Sequence, residues 1–380
     1  MIRQNRHIAF VSFNQFDPFL RDGGSHCLLS RLQFIRDQGN QTSILNILTN
    51  DLIHRFFSDA LADTDEMGII REGNTCRAVF RGVNYLQEVL PFGLDQQSSH
   101  YQEILKTIIR TVQEEDVDYV LTADESYFPL LATWLLGIPS AQLFNSQFNV
   151  AMFEKNNAYI RFLKKMIVFA NSSFIQDQIR SRLGLDSQIW YPFINFGAYR
   201  IRQDGARNNK IGFCSQGKSK GDIIVAEIIE RMPHRSFVVV GQRYCSQGDP
   251  LPQNVTYLGH IPNMKEFYRQ IDLLLVPSLV EEAFPRVILE AAVNGIPVIA
   301  NRIGGIPEAL GDSGVLIDVD SQEPNIAEIV EKYVQEIRRL LNDEDVYQRY
   351  RQKALTWAKE YEIKQTESAH DIYNRYIKNP

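Results

Sequence analysis

Short apolar runs alternate along this chain with stretches whose apolar residues recur at helical spacing. The first run, residues 8–13, has the length and continuity of a buried strand. A loop carrying Asp22, Gly23, Gly24 and Ser25 follows, then a helical pattern over 26–38 that Gly39 ends. Residues 42–48 read as the next strand, which completes a βαβ unit. The rhythm returns with strands at 118–122, 138–143 and 166–170. A helix at 128–136 is closed by Gly137. Another runs from the N-cap cluster Asn171, Ser172 and Ser173 to about 183 and stops at Gly184.

Residues 191–209 break the rhythm with Pro192, Gly197, Gly205 and a polar run from Arg207, and the domain boundary is placed there. A second series follows, with strands at 210–214, 236–240, 255–258, 273–276, 297–300 and 314–317. Helices are expected at 222–231, 264–270 and 285–294, with a helical turn at 307–310. A long charged helical pattern over 325–378 closes the series. Two runs of βα units predict an α/β fold of two Rossmann-like, doubly wound domains facing a central cleft. Ligands in such sheets sit beyond the carboxyl ends of the strands. No solenoid-length repeat appears.

Composition narrows the function. A length of 380 residues suits two α/β domains rather than one core. The formal net charge of -6 argues against a non-specific nucleic-acid partner, which needs a basic face. Cys27, Cys76, Cys214 and Cys245 are scattered with no CxxC pair, which suits a reducing cytoplasm and disfavours a zinc site. The first apolar run lacks the h-region of a signal peptide, and no run is long enough to span a membrane.

The most informative segment is 277–310. Seven residues separate Glu282 from Glu290. Pro285 suits the first helical position, so Glu282 precedes the helix and Glu290 interrupts its apolar run of Val287, Ile288, Leu289, Ala291 and Ala292. The helix start attracts phosphate, and the carboxylates accept hydrogen bonds from hydroxyls, as a sugar nucleotide requires.

This segment resembles the E-x7-E signature of glycosyltransferase family 4 (group 1), whose members have the GT-B fold. The matching residues are Glu282-Ala283-Phe284-Pro285, Glu290-Ala291-Ala292, Gly295-Ile296-Pro297-Val298-Ile299-Ala300 and Gly304-Gly305-Ile306-Pro307-Glu308. Lys220-Gly221, Val239-Val240-Gly241 and Tyr257-Leu258-Gly259-His260 extend the likeness upstream.

The resemblance implies an acceptor-binding domain over 1–195, a donor-binding domain over 196–360 and a helix over 361–380 that returns to the first. It implies a retaining, metal-independent transfer of a hexose to a glycan or lipid-linked acceptor in polysaccharide synthesis. UDP-glucose is the first expectation, because that donor is common in the family, and no cofactor is implied. Glu290 would hold the ribose hydroxyls. Glu282 and the main chain around Phe284 would hold the hexose, Val287 would belong to the donor site, and Lys220 would stabilise the departing diphosphate. The main chain near His260 and Ile261 would read the base, and Gly23 and Gly24 would approach the diphosphate.

The sequence departs from the pattern in places. Gln216 stands near the family's arginine, and Lys218 either supplies that charge or is a solvated loop lysine. Pro285 replaces a glycine. Arg286 points at the phosphates or, as the favoured reading, outward to solvent. Asn145 stands where a histidine is usual and still offers hydrogen bonds to a hydroxyl. Asp124 and Glu125 contact the acceptor or form an ordinary acidic loop pair. His26 reads as structural.

Two D-x-D strings, at Asp116/Asp118 and Asp318/Asp320, read as loop carboxylates rather than metal ligands, so activity is expected to survive a chelator. The basic and apolar stretch 159–166 is an ordinary amphipathic helix or a peripheral contact with the inner membrane surface. The rival functions are a non-catalytic sugar-nucleotide or glycan-binding protein and a sugar-nucleotide epimerase. A dinucleotide dehydrogenase is disfavoured, because no G-x-G-x-x-G follows the first strand.

Overall fold

A computed structural model describes residues 5–13, 23–50, 70–80, 82–93, 95, 99–123, 127–155, 157–201, 207–244, 250–261, 263–320, 322–378 and 380. The chain forms two compact units, Met1–Phe193 with Thr366–Pro380, and Ile194–Gln365. The boundaries expected from the sequence fall at 195/196 and 360/361.

The first unit holds strands β1 (His7–Phe13), β2 (Gln41–Thr49), β3 (Ile70–Glu72), β4 (Thr75–Phe80), β5 (Val83–Leu90), β6 (Tyr119–Thr122), β7 (Ser140–Phe144), β8 (Ile167–Ala170) and β9 (Gln188–Ile189). They form one sheet in the order β3-β4-β5-β2-β1-β6-β7-β8-β9. The strands pair in parallel from β5 to β9, whereas β3, β4 and β5 pair antiparallel at one edge.

All of β1 is buried, and its alternate residues serve two cores. Ile8 and Phe10 pack with Leu28, Leu32 and Ile35 of helix Gly23–Asp37, and with Ile372 and Ile377 near the C-terminus. Ala9, Val11 and Phe13 pack with Ile104, Ile108 and Val112 of helix Tyr101–Glu114, and with Phe128 of helix Phe128–Leu136. Helices therefore cover both faces of the sheet.

The second unit holds β10 (Lys210–Ser215), β11 (Ser236–Gly241), β12 (Val255–Gly259), β13 (Leu273–Val276), β14 (Val298–Asn301) and β15 (Gly314–Ile317). All pair in parallel in the order β12-β11-β10-β13-β14-β15. The order reverses between β10 and β13, which makes their carboxyl ends the switch point of the sheet. Ile224, Val225 and Ile228 of helix Asp222–Arg231 and Val330, Tyr333 and Ile337 of helix Ile326–Asn342 fill one core against these strands.

Several expectations are corrected. The glycine pair is not in a loop: Gly23 and Gly24 open helix Gly23–Asp37. Glycine costs least in a first turn, where few intrahelical bonds depend on it. The long pattern at 325–378 is not continuous. Asp343 takes an extended conformation between helices Ile326–Asn342 and Glu344–Ile372, and its carboxylate accepts the Val346 N–H at 3.0 Å. A wider π-helical turn, Tyr373–Ile377, follows. Strands β3 to β5 and helix Tyr101–Glu114 were not foreseen.

Candidate functional site

The loops that leave β10 and β13 lie back to back. After β10 the chain makes a tight turn, Lys218–Lys220, and reaches Gly221 with φ 94°, a left-handed conformation that disfavours a side chain. A Cβ at Gly221 would stand 2.2 Å from the Pro277 carbonyl oxygen, so only glycine lets the two loops close. The Leu279 N–H then donates to the Ser219 carbonyl at 3.0 Å.

This contact sets Lys220 against Glu282. The Lys220 Nζ donates to Glu282 Oε1 at 2.5 Å, and the Ser278 hydroxyl donates to the same oxygen at 2.6 Å. The side chains are 27% and 16% exposed, so the pair is partly shielded yet open to solvent. Glu282 Oε2 takes no hydrogen bond among the described residues. The loop after β14 fixes the backbone beneath: the Gly305 N–H donates to the Glu282 carbonyl at 2.6 Å. A Cβ on Gly304 would stand 2.6 Å from that carbonyl oxygen, and one on Gly305 would stand 2.0 Å from that of Ala283.

Glu290 occupies a different environment. Its helix is Arg286–Ala292, and Pro285 stands at the N-cap with φ -73° and ψ 107°, one position before the expected one. Proline's ring disfavours a helical conformation in the residue before it, which keeps Phe284 in the incoming loop. Glu290 Oε2 accepts the Tyr268 hydroxyl at 2.9 Å, and Oε1 lies 3.5 Å from Arg286 Nη2.

Arg286 is therefore not turned to solvent. Its side chain is 9% exposed, and it donates to the Tyr199 hydroxyl at 3.0 Å. The Asn294 amide ties this cluster down by donating to the Tyr199 carbonyl at 3.2 Å and the Glu290 carbonyl at 2.9 Å. A buried carboxylate requires such partners, because burial without them costs several kcal/mol, on the order of a whole domain's margin of stability. Burial, and then the Glu290 charge, hold the Tyr268 phenol well above its ordinary range, so Tyr268 remains a donor. Burial and Glu290 likewise push the Cys214 thiol up.

The other expected residues divide clearly. Phe284 is buried with its ring 5.6 Å from Tyr361. Val287 is half-buried in the first turn of the helix. Lys218 is exposed on the turn that carries Lys220, and Gln216 is exposed just ahead of it. His260 is exposed and Ile261 half-buried just after β12. All of these belong to the second unit.

In the first unit, Asn145 follows β7. Its side-chain oxygen accepts from Arg31 at 3.4 Å, and its carbonyl accepts the Asn171 amide at 3.0 Å. Asp124 and Glu125 lie outside the described residues. Asp118 accepts the His7 N–H at 2.9 Å, and Asp318 pairs with Arg302 at 2.6 Å. Asp320 accepts the Gln322 N–H at 2.9 Å. These contacts give Asp118, Asp318 and Asp320 structural partners.

Sequence reasoning passed over Ser278, Tyr268 and Tyr199. Ser278 had a usable signal, because it stands two residues past a strand at the switch point. Tyr268 and Tyr199 had none, since 22 and 87 positions separate them from the side chains they contact, Glu290 and Arg286.

Residues 211–343, which contain this cluster, match the family described as Glycosyl transferases group 1. That segment belongs to the group 1 glycosyltransferases. N-acetyl-alpha-D-glucosaminyl L-malate synthase of Bacillus anthracis is 33% identical over 106 residues, covering 27% of this chain and 26% of that protein. D-inositol 3-phosphate glycosyltransferase of Corynebacterium efficiens is 29% identical over 154 residues, 36% of this chain and 34% of its own length. The match thus spans about a quarter to a third of these curated relatives.

Likeness of fold extends further than likeness of sequence. A glycosyltransferase from Rickettsia africae superposes with a TM-score of 0.70 at 16% identity, covering 99% of this chain and 100% of that one. The Anabaena protein HepE, solved with UDP-glucose, gives 0.68 at 17% identity, over 96% of this chain and 99% of its own. At these identities the likeness establishes the fold, two Rossmann-like α/β units of the GT-B class.

Proposed function

We propose that this chain is a retaining glycosyltransferase that needs no metal and moves a hexose from a sugar nucleotide to a glycan or lipid-linked acceptor. The observation that carries this reading is the switch-point ion pair of Lys220 and Glu282, followed by a helix that holds a second, buried carboxylate, Glu290. An ammonium group suits a diphosphate, and the uncommitted Oε2 of Glu282 suits a hexose hydroxyl. Tyr268 and Arg286 fix the Glu290 carboxylate so that its remaining lone pairs can receive ribose hydroxyls. UDP-glucose is the donor we favour, in keeping with the complex of HepE.

In the transfer, the acceptor oxygen attacks the anomeric carbon from the face on which the phosphate departs. The bond from that carbon to the phosphate oxygen breaks, its electron pair stays on the phosphate, and that oxygen takes the acceptor's proton. Lys220 stabilises the charge that develops on the leaving group. Ser278 holds Glu282 in place as the ammonium turns toward phosphate.

The test is thermal stability with UDP, GDP and ADP, followed by turnover of labelled UDP-glucose in the presence of a chelator. A ligand bound only by the native state raises the melting temperature. A shift with UDP that Glu290→Ala abolishes, with turnover that persists in chelator, supports the proposal. Absence of a shift with every nucleotide refutes the donor site, and loss of turnover in chelator refutes metal independence.

A further inference from the structure

We infer that Tyr199 is a positioning residue for the donor's ribose, because its hydroxyl holds the Arg286 guanidinium back from Glu290 and keeps one carboxylate oxygen open. The inference rests on the donor reading above, in which Glu290 receives the ribose hydroxyls.

The distances are the first observation. Arg286 Nη2 donates to the Tyr199 hydroxyl at 3.0 Å, whereas the same nitrogen stands 3.5 Å from Glu290 Oε1. A charge-assisted hydrogen bond from guanidinium to carboxylate runs at about 2.7–2.9 Å, so this ion pair is stretched. A carboxylate accepts more strongly than a neutral phenol, and burial of both side chains strengthens its pull. The guanidinium nevertheless gives its shorter contact to the phenol, which implies that the phenol is held where it can intercept the cation.

The second observation is how Tyr199 is held. It ends the short helix Phe196–Tyr199, and the chain leaves it extended at Arg200. The buried Asn294 amide donates to the Tyr199 carbonyl at 3.2 Å, and its side-chain oxygen accepts the Ile201 N–H at 2.9 Å. One side chain thus clamps the segment on both sides of Arg200. The same amide donates to the Glu290 carbonyl, which ties the clamp to the helix that carries Arg286 and Glu290. The Arg286 guanidinium carbon lies 6.0 Å from the centre of the Tyr199 ring, so ring and hydroxyl both face the cation.

The consequence falls on the ligand. Glu290 Oε2 already accepts the Tyr268 hydroxyl at 2.9 Å. Closure of Arg286 on Oε1 would commit the other oxygen, and a ribose hydroxyl would then have to displace a charged donor. With the guanidinium held back, Oε1 is open to the hydroxyl, and the positive charge still favours the ionised carboxylate.

The experiment is calorimetric titration of the full chain with UDP and with its dideoxy analogue, which lacks both ribose hydroxyls, before and after Tyr199→Phe. Phenylalanine keeps the ring and removes only the hydroxyl. The expected result is UDP binding weakened about tenfold, unchanged binding of the dideoxy analogue, and a melting temperature no lower than that of the unaltered chain. The KM for UDP-glucose should rise by a similar factor with kcat kept. In an Arg286→Leu background, Tyr199→Phe should change nothing further, because it acts through the guanidinium.

UDP affinity that Tyr199→Phe leaves unchanged overturns the inference. So does equal weakening of both nucleotides with a lowered melting temperature, the mark of a packing role. A Tyr199→Phe effect that persists in the Arg286→Leu background overturns it as well. An unaltered chain that binds UDP no better than the dideoxy analogue refutes instead the donor reading on which the inference stands.

Discussion

The two sheets share one construction and differ in what they place at the carboxyl ends of their strands. In the second unit, the switch point between β10 and β13 carries full charges, with Lys220 against Glu282 and Glu290 nearby in its helix. In the first unit, the described residues after β7 and β8 are amides and hydroxyls. Asn145, Asn149 and Asn171 interlock, and Ser146 and Ser172 cap the helices that follow. Charged residues at fixed spacing leave a trace that survives in a short stretch of sequence. A shell of neutral amides leaves little trace, because many combinations build the same hydrogen bonds. Residues 211–343, which hold that charged cluster, match a family.

The comparison breaks most directly at Lys220. Lys220→Ala is expected to lower kcat by roughly a hundredfold to a thousandfold, the usual cost of one preorganised stabilising donor. Steady-state turnover of the labelled donor measures it, and a rate within about threefold of normal would remove Lys220 from the chemistry.

Glu290 sharpens the contrast between a binding role and a packing role. Glu290→Ala leaves the Arg286 guanidinium in a buried position and is expected to cost about 3 kcal/mol in urea unfolding. The double variant Glu290→Ala, Arg286→Leu is expected to recover most of that stability without recovering the response to UDP. Recovery of both would assign Glu290 to structure alone.

Asn145→Ala removes one acceptor from Arg31 in the first unit. The expected cost is about 1 kcal/mol of stability, with no change in the UDP-induced shift. A lost shift would carry the donor site into the first unit.

The smallest effect expected is at Asp222, at the start of the helix after Lys220. Burial raises its pKa, and hydrogen bonds from the Ser215 hydroxyl and the Gly217 backbone partly offset this. A folded-state pKa above the unfolded value means that the folded form holds its proton more tightly. The contribution is therefore full below the unfolded pKa and is lost as pH rises through the raised one. Asp222→Asn should flatten the stability profile across that interval and leave the protein no less stable at neutral pH. A profile that keeps its slope would show that Asp222 titrates like a surface carboxylate.

The fold was readable where punctuation was strong. Helix Phe128–Leu136 ends at Gly137 and the helical segment from Ser172 ends at Gly184, both left-handed, as their glycines announced. Strand β1 gave itself away as an uninterrupted apolar run, the mark of a strand buried on both faces. Strands β3 to β5 were missed because an antiparallel edge mixes charged residues into its exposed faces. The glycines at their turns, Gly73 with φ 61° and Gly82 with φ 80°, were the available clue.

At the site, the spacing of Glu282 and Glu290 was legible, and the surroundings of Arg286 were not. A guanidinium that follows proline at a helix start looks like a solvent-facing group. Tyr199, from far along the chain, returns to it and joins Glu290 in making a buried place for it.

The Lys220–Glu282 ion pair has a kinetic consequence. Under the donor reading, these two groups satisfy each other whenever the site is vacant, so an incoming molecule has to part them. An intact donor offers each a new partner, phosphate for one and hydroxyl for the other. The spent nucleotide offers a partner to Lys220 alone, and the carboxylate is left to draw the ammonium back. The closed pair thus acts as a spring-loaded ejector, favouring release of the product over its retention. Inhibition by the product nucleotide should then be weaker than affinity for the donor, and Glu282→Gln should narrow that gap.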